Sequence, residues 1–171
     1  MPRKPPVRLS NTRQQIQIVL KRFLVFLGAI TLLFLILLSA AIGYGKYLGY
    51  ALAPSGRAYA DESVRAIITT WSEDALIKRS SPELRAVTTQ GQLDQFFVSL
   101  NKLGKFQSYG GAQGNVNLSL NFKKGLIITA TYHATATFLN GKADITIKLI
   151  RHNNAWQIEG FHVNQAPLYP L

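Results

Sequence analysis

The chain holds no cysteine among its 171 residues. That absence excludes disulfides, thiol nucleophiles, thiolate zinc sites and cysteine-ligated iron–sulfur clusters. It leaves the compartment open, because an exported domain with an adequate core can do without disulfides. Acids are scarce as well, eight against nineteen lysines and arginines. None of them lies in residues 1–22, where Arg3, Lys4, Arg8, Arg13, Lys21 and Arg22 give a net charge of +6. Residues 46–171 hold thirteen bases and eight acids, a net +5, with both signs interspersed from Asp61 and Glu62 to Glu159. The concentrated positive charge therefore flanks an apolar run. A basic tail in that position is drawn to anionic lipid and orients insertion, so the partner it implies is membrane lipid and not nucleic acid.

The run itself lacks charge altogether, from Phe23 to Gly45, 23 residues. As a helix rising 1.5 Å per residue it covers about 34 Å, enough for a hydrocarbon core of about 30 Å. Phe23, Leu24, Phe26, Leu32, Leu33, Phe34, Leu35, Ile36, Leu37 and Leu38 would face lipid. Tyr44, Tyr47 and Tyr50 cluster at the far end, where aromatic rings favour the interface. A cleaved export signal has a shorter apolar region, about 7–15 residues, closely followed by small residues. Here the small-x-small sites Ala51-Leu52-Ala53 and Ala58-Tyr59-Ala60 lie well past the run, and Pro54 follows the first of them. The anchor is expected to stay. Six bases precede it, and Lys46, Arg57 and Arg65 after it are balanced by Asp61 and Glu62. The excess predicts a cytoplasmic N-terminus and an exported C-terminal domain. In a bacterium that is a single-pass protein of the inner (cytoplasmic) membrane, with its domain periplasmic or extracellular. The expected division is a basic cytoplasmic tail at 1–22, a transmembrane helix at 23–45, a linker at 46–56, an exported domain at 57–166 and a C-terminal tail at 167–171. The segment Pro2–Gln15, with three prolines and little to bury, is expected to be disordered.

Within the exported part, Val64, Ile67, Ile68, Trp71, Ala75 and Leu76 recur at spacings of three and four and predict one helix over Tyr59–Arg79, after a break at Pro54-Ser55-Gly56. Ser80-Ser81-Pro82-Glu83 reads as a stop, a cap and a proline at the first helical position, opening a short helix over Glu83–Thr88. Leu93, Phe96, Phe97, Leu100 and Leu103 predict another helix from Gln92, ended by Gly104. After Gly104 the period changes to two. Val116, Leu118, Leu120 and Phe122 alternate with polar residues, as do the apolar residues of Leu126–Phe138 and Ala143–Arg151, and Trp156 and Ile158. Lys123-Lys124-Gly125, Asn140-Gly141 and Asn153-Asn154 mark turns. The prediction is α+β: two to three helices packed on one face of a curved four-stranded antiparallel sheet.

Candidate chemistry is thin. No two histidines have ligand spacing, no pair of acids demands general acid–base work, and neither a cofactor nor a metal is expected. GYGKYLGY is a membrane-exit segment and YGGAQGN a loop before a strand, so neither sits between strand and helix as a phosphate cradle must. Asp61 and Asp94 read as helix-terminus carboxylates. Tyr132 lies on the inner face among Ala130, Ala134 and Ala136, with Trp71 on the helix above. The small residues allow a pocket whose polar group is the phenol, or close packing with the hydroxyl bonded to a backbone carbonyl. On the other face Thr129, Thr131, His133, Thr135 and Thr137 make a broad uncharged surface with Asn117, Ser119, Thr146 and Gln157. Solvated threonines read this way, and so does contact between the sheets of two protomers.

Three stretches carry a family resemblance: the helix with Trp71, the junction Leu103-Gly104-Lys105-Phe106-Gln107-Ser108, and Asn153-Asn154-Ala155-Trp156-Gln157-Ile158 entering the last strand. Over roughly residues 57–163 the order of elements resembles the nuclear-transport-factor-2-like (cystatin-like) superfamily. With its tail and single anchor the layout is similar to the inner-membrane scaffold proteins of type IV secretion systems, and to small cytochrome oxidase assembly factors. The superfamily hosts enzymes, ligand binders and scaffolds, so the resemblance implies a fold and leaves the activity open. With no catalytic set in view, the expected function is non-enzymatic: a membrane-anchored scaffold or assembly subunit binding other envelope proteins, as a homodimer or with them. The alternative is a ligand or enzymatic pocket at Tyr132.

Overall fold

The computed structural model describes residues 10–121 and 125–167. The expectations for the tail before residue 10, for Phe122 and the Lys123-Lys124 turn, and for residues 168–171 lie outside them. The chain divides after Gly45 into two units. In the first, Ser10–Gly45 is helix, including Ser10–Gln15, for which disorder was expected. Its described side chains are almost all exposed, and the 18-residue window of highest mean hydropathy, 2.8, has no buried residue. Among the described residues, one helix is thus long and apolar enough to cross a membrane.

The second unit, residues 46–171, is α+β. It begins within α1 (Ser10–Ile68), followed by α2 (Glu73–Arg79), α3 (Pro82–Val87) and α4 (Gln90–Asn101), then β1 (Phe106–Asn121), β2 (Gly125–Phe138), β3 (Gly141–His152) and β4 (Ala155–Pro167). The strands form an open antiparallel sheet in sequence order, β1-β2-β3-β4. Its inner face carries Ala130, Tyr132, Ala134, Ala136 and Phe138 from β2, Ala143, Ile145, Ile147 and Leu149 from β3, and Trp156, Ile158 and Val163 from β4. These join one core with Ala60, Val64, Ile67 and Ile68 of α1, Leu76 of α2, and Leu93, Phe97 and Leu100 of α4. The change of period at Gly104 (φ 79°) marks where helices give way to sheet.

Three boundaries differ from the expectation, each for a physical reason. Residues 46–56 are not a linker: they continue α1, with Pro54 inside the helix. An interior proline removes one helical hydrogen bond, a cost of about 3 kcal/mol. The helix persists because the turns that follow bury Gly56, Ala60, Ser63, Val64, Ile67 and Ile68 along one stripe. The single helix expected over Tyr59–Arg79 is two. α1 ends at Ile68, Trp71 takes a left-handed φ of 49°, and Ser72 caps α2 by accepting from the Ala75 N–H at 3.1 Å. The positive φ lets the Trp71 ring stack on Phe138, with centroids 4.9 Å apart, which outweighs one or two further helical bonds. Finally, YGGAQGN is strand and not loop. β1 runs through it with register shifts between Phe106 and Ser108 and between Tyr109 and Ala112, and Gly111 supplies a φ of 84°. A further shift at Lys148/Leu149 moves the buried positions of β4 from Trp156 and Ile158 to Val163.

The expected cap at Ser81 is present: its side chain accepts from the Leu84 N–H at 3.2 Å, with Pro82 opening α3. Ser81 also ties α3 to the sheet, its N–H donating to the Ile158 carbonyl at 2.8 Å.

Candidate functional site

The residues read as a break, Pro54-Ser55-Gly56, form the seam between α1 and the sheet. Gly56 has no side chain where one would meet two rings: a Cβ there would lie 2.6 Å from the Tyr132 hydroxyl and 3.3 Å from the Trp156 indole. The rings bond to the helix around it. Tyr132 donates to the Ala53 carbonyl at 3.2 Å, and Trp156 Nε1 donates to Ser55 Oγ at 3.2 Å. Ser55 in turn donates to the Leu52 carbonyl at 2.9 Å. Gly56→Val is therefore expected to destabilise the folded chain by about 1–3 kcal/mol, the usual cost of overpacking. Denaturant unfolding followed by tryptophan fluorescence checks it, and an unchanged midpoint would mean the seam is looser than described.

Of the two sequence readings of Tyr132, close packing with a bonded hydroxyl matches this geometry. Ala130, Ala134 and Ala136 are buried in the core, and Trp71 stacks on Phe138. Burial pushes the Tyr132 phenol above its ordinary value. A hollow of about 530 Å³ does open beside it, lined by Ala53, Pro54, Arg57, Ala58, Asp61, Gly114 and Tyr132. Its lining is not that of the expected pocket: Tyr132 is shared, and helix residues take the place of the alanines and Trp71.

Asp61 is the polar centre of this seam, and it is not a helix-terminus carboxylate. It lies mid-way along α1's last turns and accepts from the Tyr109 hydroxyl at 2.8 Å and the buried Ala112 N–H at 2.7 Å through the same oxygen. Arg57 Nε stands 3.9 Å from its other oxygen, and the Arg65 guanidinium lies 4.8 Å over the Tyr109 ring. The acid thus holds the second irregularity of β1, between Tyr109 and Ala112, against the helix. Asp61→Ala leaves both donors without this acceptor and is expected to cost about 1–3 kcal/mol, with Asp61→Asn retaining much of the stability because Oδ1 survives. Thermal unfolding of the pair checks the order; equal losses would contradict it.

Burial first, then the hydrogen bond to Asp61, raises the Tyr109 phenol well above its ordinary value of 10.0. The folded chain holds this proton more tightly than the unfolded one. The contribution is intact below pH 10.0 and is lost as pH rises through the higher folded value. Tyr109→Phe should therefore flatten the fall of stability above pH 10.0. Denaturation midpoints across alkaline pH measure it, and an equally steep fall in the variant would count against the assignment.

On the outer face the threonine surface is arranged as the alternation predicts. His133 and Thr135 are exposed, and Thr129, Thr131 and Thr137 half-buried. His133 Nδ1 lies 3.0 Å from Thr146 Oγ1 across the β2–β3 register. Glycine at 110 and 111 leaves a hollow of about 410 Å³ lined by His133, Thr135, Asp144 and Thr146 among others. No group of three or more metal-ligating side chains occurs among the described residues.

Sequence reasoning missed Ser55, Gly56, Asp61, Tyr109 and Trp156 as partners in one seam. The only signal was a Ser-Gly pair after a proline, which serves equally as a turn and as room for aromatic rings. Comparison with family models, curated proteins and solved structures finds no match to this chain.

Proposed function

We propose that this chain is a single-pass inner-membrane protein, N-terminus in the cytoplasm, whose periplasmic or extracellular domain is a non-enzymatic scaffold or assembly subunit for other envelope proteins. One observation carries the reading. α1 is a single helix whose early residues are apolar and exposed and whose last turns bury one stripe, Ala60, Ser63, Val64, Ile67 and Ile68, in the domain core. The exposed stretch needs a solvent other than water, since each buried methylene is worth about 0.8 kcal/mol. Both small-x-small sites lie inside this helix, and cleavage after Ala60 would cut the stripe that holds the domain together. That supports an anchor that stays. The basic flank before the span supports the orientation.

The outer face supports the binding role. Its β2 row, Thr129 to Thr137, is uncharged and rich in β-branched threonine, so that row desolvates at lower cost than a charged one; Lys142, Asp144 and Lys148 stand beside it on β3, and the hollow at Gly110-Gly111 offers a socket. We read the domain as a curved sheet of the nuclear-transport-factor-2-like kind, in which two protomers meet sheet to sheet; the bulges of β1 and the shift in β4 favour bending. The polar groups beside Tyr132 are already engaged by Ala53, Tyr109 and Ala112, which favours binding over a pocket chemistry.

Cross-linking in native membranes followed by gentle solubilisation tests the role. The expected result is a discrete larger complex that His133→Arg with Thr135→Arg dissolves while leaving the domain folded. A lone monomer under the same treatment would overturn it.

A further inference from the structure

The contacts along α1 run in register with the β1–β2 hairpin. Asp61 holds Ala112, Ala53 accepts from Tyr132 opposite Gly114, and Gly49 faces Leu118, whose Cδ1 would lie 3.6 Å from a Cβ on that glycine. As the helix number falls the hairpin advances, so its Leu120–Leu126 pair lies toward Lys46. The exposed rings of Tyr47 and Tyr50 flank Gly49 on the same stretch of helix. β2 pairs with β3 only from Thr129 onward, so the hairpin beyond it is a two-stranded extension.

That extension is built unlike a soluble edge. Leu118, Leu120, Leu126 and Ile128 share one face as the register pairs Leu118↔Ile128 and Leu120↔Leu126. Leu120 is 78 % and Leu126 51 % exposed. β1 and β2 themselves contain no lysine, arginine, aspartate or glutamate, the ordinary protection of a free edge; the charges of this stretch are confined in sequence to Lys123 and Lys124 between the two strands. In water this is a liability; at a lipid interface it is an anchor.

We propose that the described end of the β1–β2 hairpin, the Leu120–Leu126 pair, is a second membrane contact, dipping Leu120 and Leu126 into the lipid headgroup and upper acyl region. The inference rests on the reading of α1 as a membrane anchor. Insertion is shallow, since the open strand edges must keep water or headgroup partners for their backbone groups. The hairpin then fixes the tilt and rotation of the domain on the surface, which a single helix leaves free, and sets which way the threonine face looks.

The absence of cysteine permits a direct test. Single variants Leu33→Cys, Leu120→Cys, Leu126→Cys and Leu139→Cys of the full chain, each carrying an environment-sensitive nitrobenzoxadiazole label, are placed in phosphatidylcholine nanodiscs. Leu139 is exposed just past the opposite end of β2 and serves as the aqueous control. Labels at 120 and 126 should be blue-shifted, lose most of their emission to nitroxide-bearing lipid and resist iodide, while the label at 139 is quenched by iodide. Quenching at 33 by lipid, with 120 and 126 behaving like 139, overturns the hairpin contact and leaves the anchor standing. Labels at 120 and 126 shielded from both quenchers are covered by protein, which also overturns it. A label at 33 insensitive to nitroxide lipid overturns the anchor reading and the hairpin contact with it.

Discussion

Phe138→Ala is expected to destabilise the chain by about 3–5 kcal/mol, the range for removing a buried aromatic side chain. Phe138 is 0 % exposed, stacks on Trp71 at 4.9 Å and meets Phe106 edge-on at 6.0 Å. It sits where three elements converge: the left-handed turn between α1 and α2, the start of β1, and the end of β2. Its loss opens a cavity and also removes the ring against which the strained Trp71 backbone is held. Unfolding of the full chain in mild detergent, followed by tryptophan fluorescence, should show a midpoint lowered by on the order of 10 °C. Leu139→Ala, one residue on and exposed, should move it little, within about 0.5 kcal/mol. Comparable losses for the two would contradict the described core.

A larger effect is expected in the span. Leu33→Arg with Ile36→Arg places two charges near the middle of the apolar run, at about 2.5–3.5 kcal/mol each on the insertion scale. The pair, on the order of 6 kcal/mol, is comparable to the summed preference of the remaining leucine, isoleucine, valine and phenylalanine residues of the run, about 0.3–0.6 kcal/mol each, and should shift much of the chain out of the alkali-resistant membrane fraction. The same two changes leave residues 46–171 untouched, so domain stability is the internal control. Full retention in the membrane would mean that the run is held by protein rather than lipid.

Much of the architecture was legible because it rests on periodicity. Alternation along Leu126–Phe138 placed Tyr132 inside and His133 outside, and the structure has Tyr132 buried and His133 exposed. Ser81-Pro82 opened a helix because cap and fixed φ act locally. The illegible parts are those decided by distant partners. Pro54 should end a helix, yet the core stripe from Gly56 to Ile68 carries it through. Trp71 belonged to the helical stripe by spacing, and its φ changed because Phe138, far along the chain, offers a better contact. Asp61 looked like a dipole-stabilising acid, while its bonds go to Tyr109 and Ala112, about fifty residues away in sequence. The seam was hidden for the same reason: Gly56 shows its use only once Tyr132 and Trp156 are laid beside it.

The most direct measurement is the mass and location of the chain in carbonate-washed membranes. The account predicts that a polypeptide keeping residues 23–45 joined to the domain stays in the pellet at alkaline pH. It also predicts that in cells stripped of their outer barrier, added protease digests the domain and spares the span. A shortened chain in the supernatant, beginning after Ala53 or Ala60, or a domain untouched by protease, would contradict it.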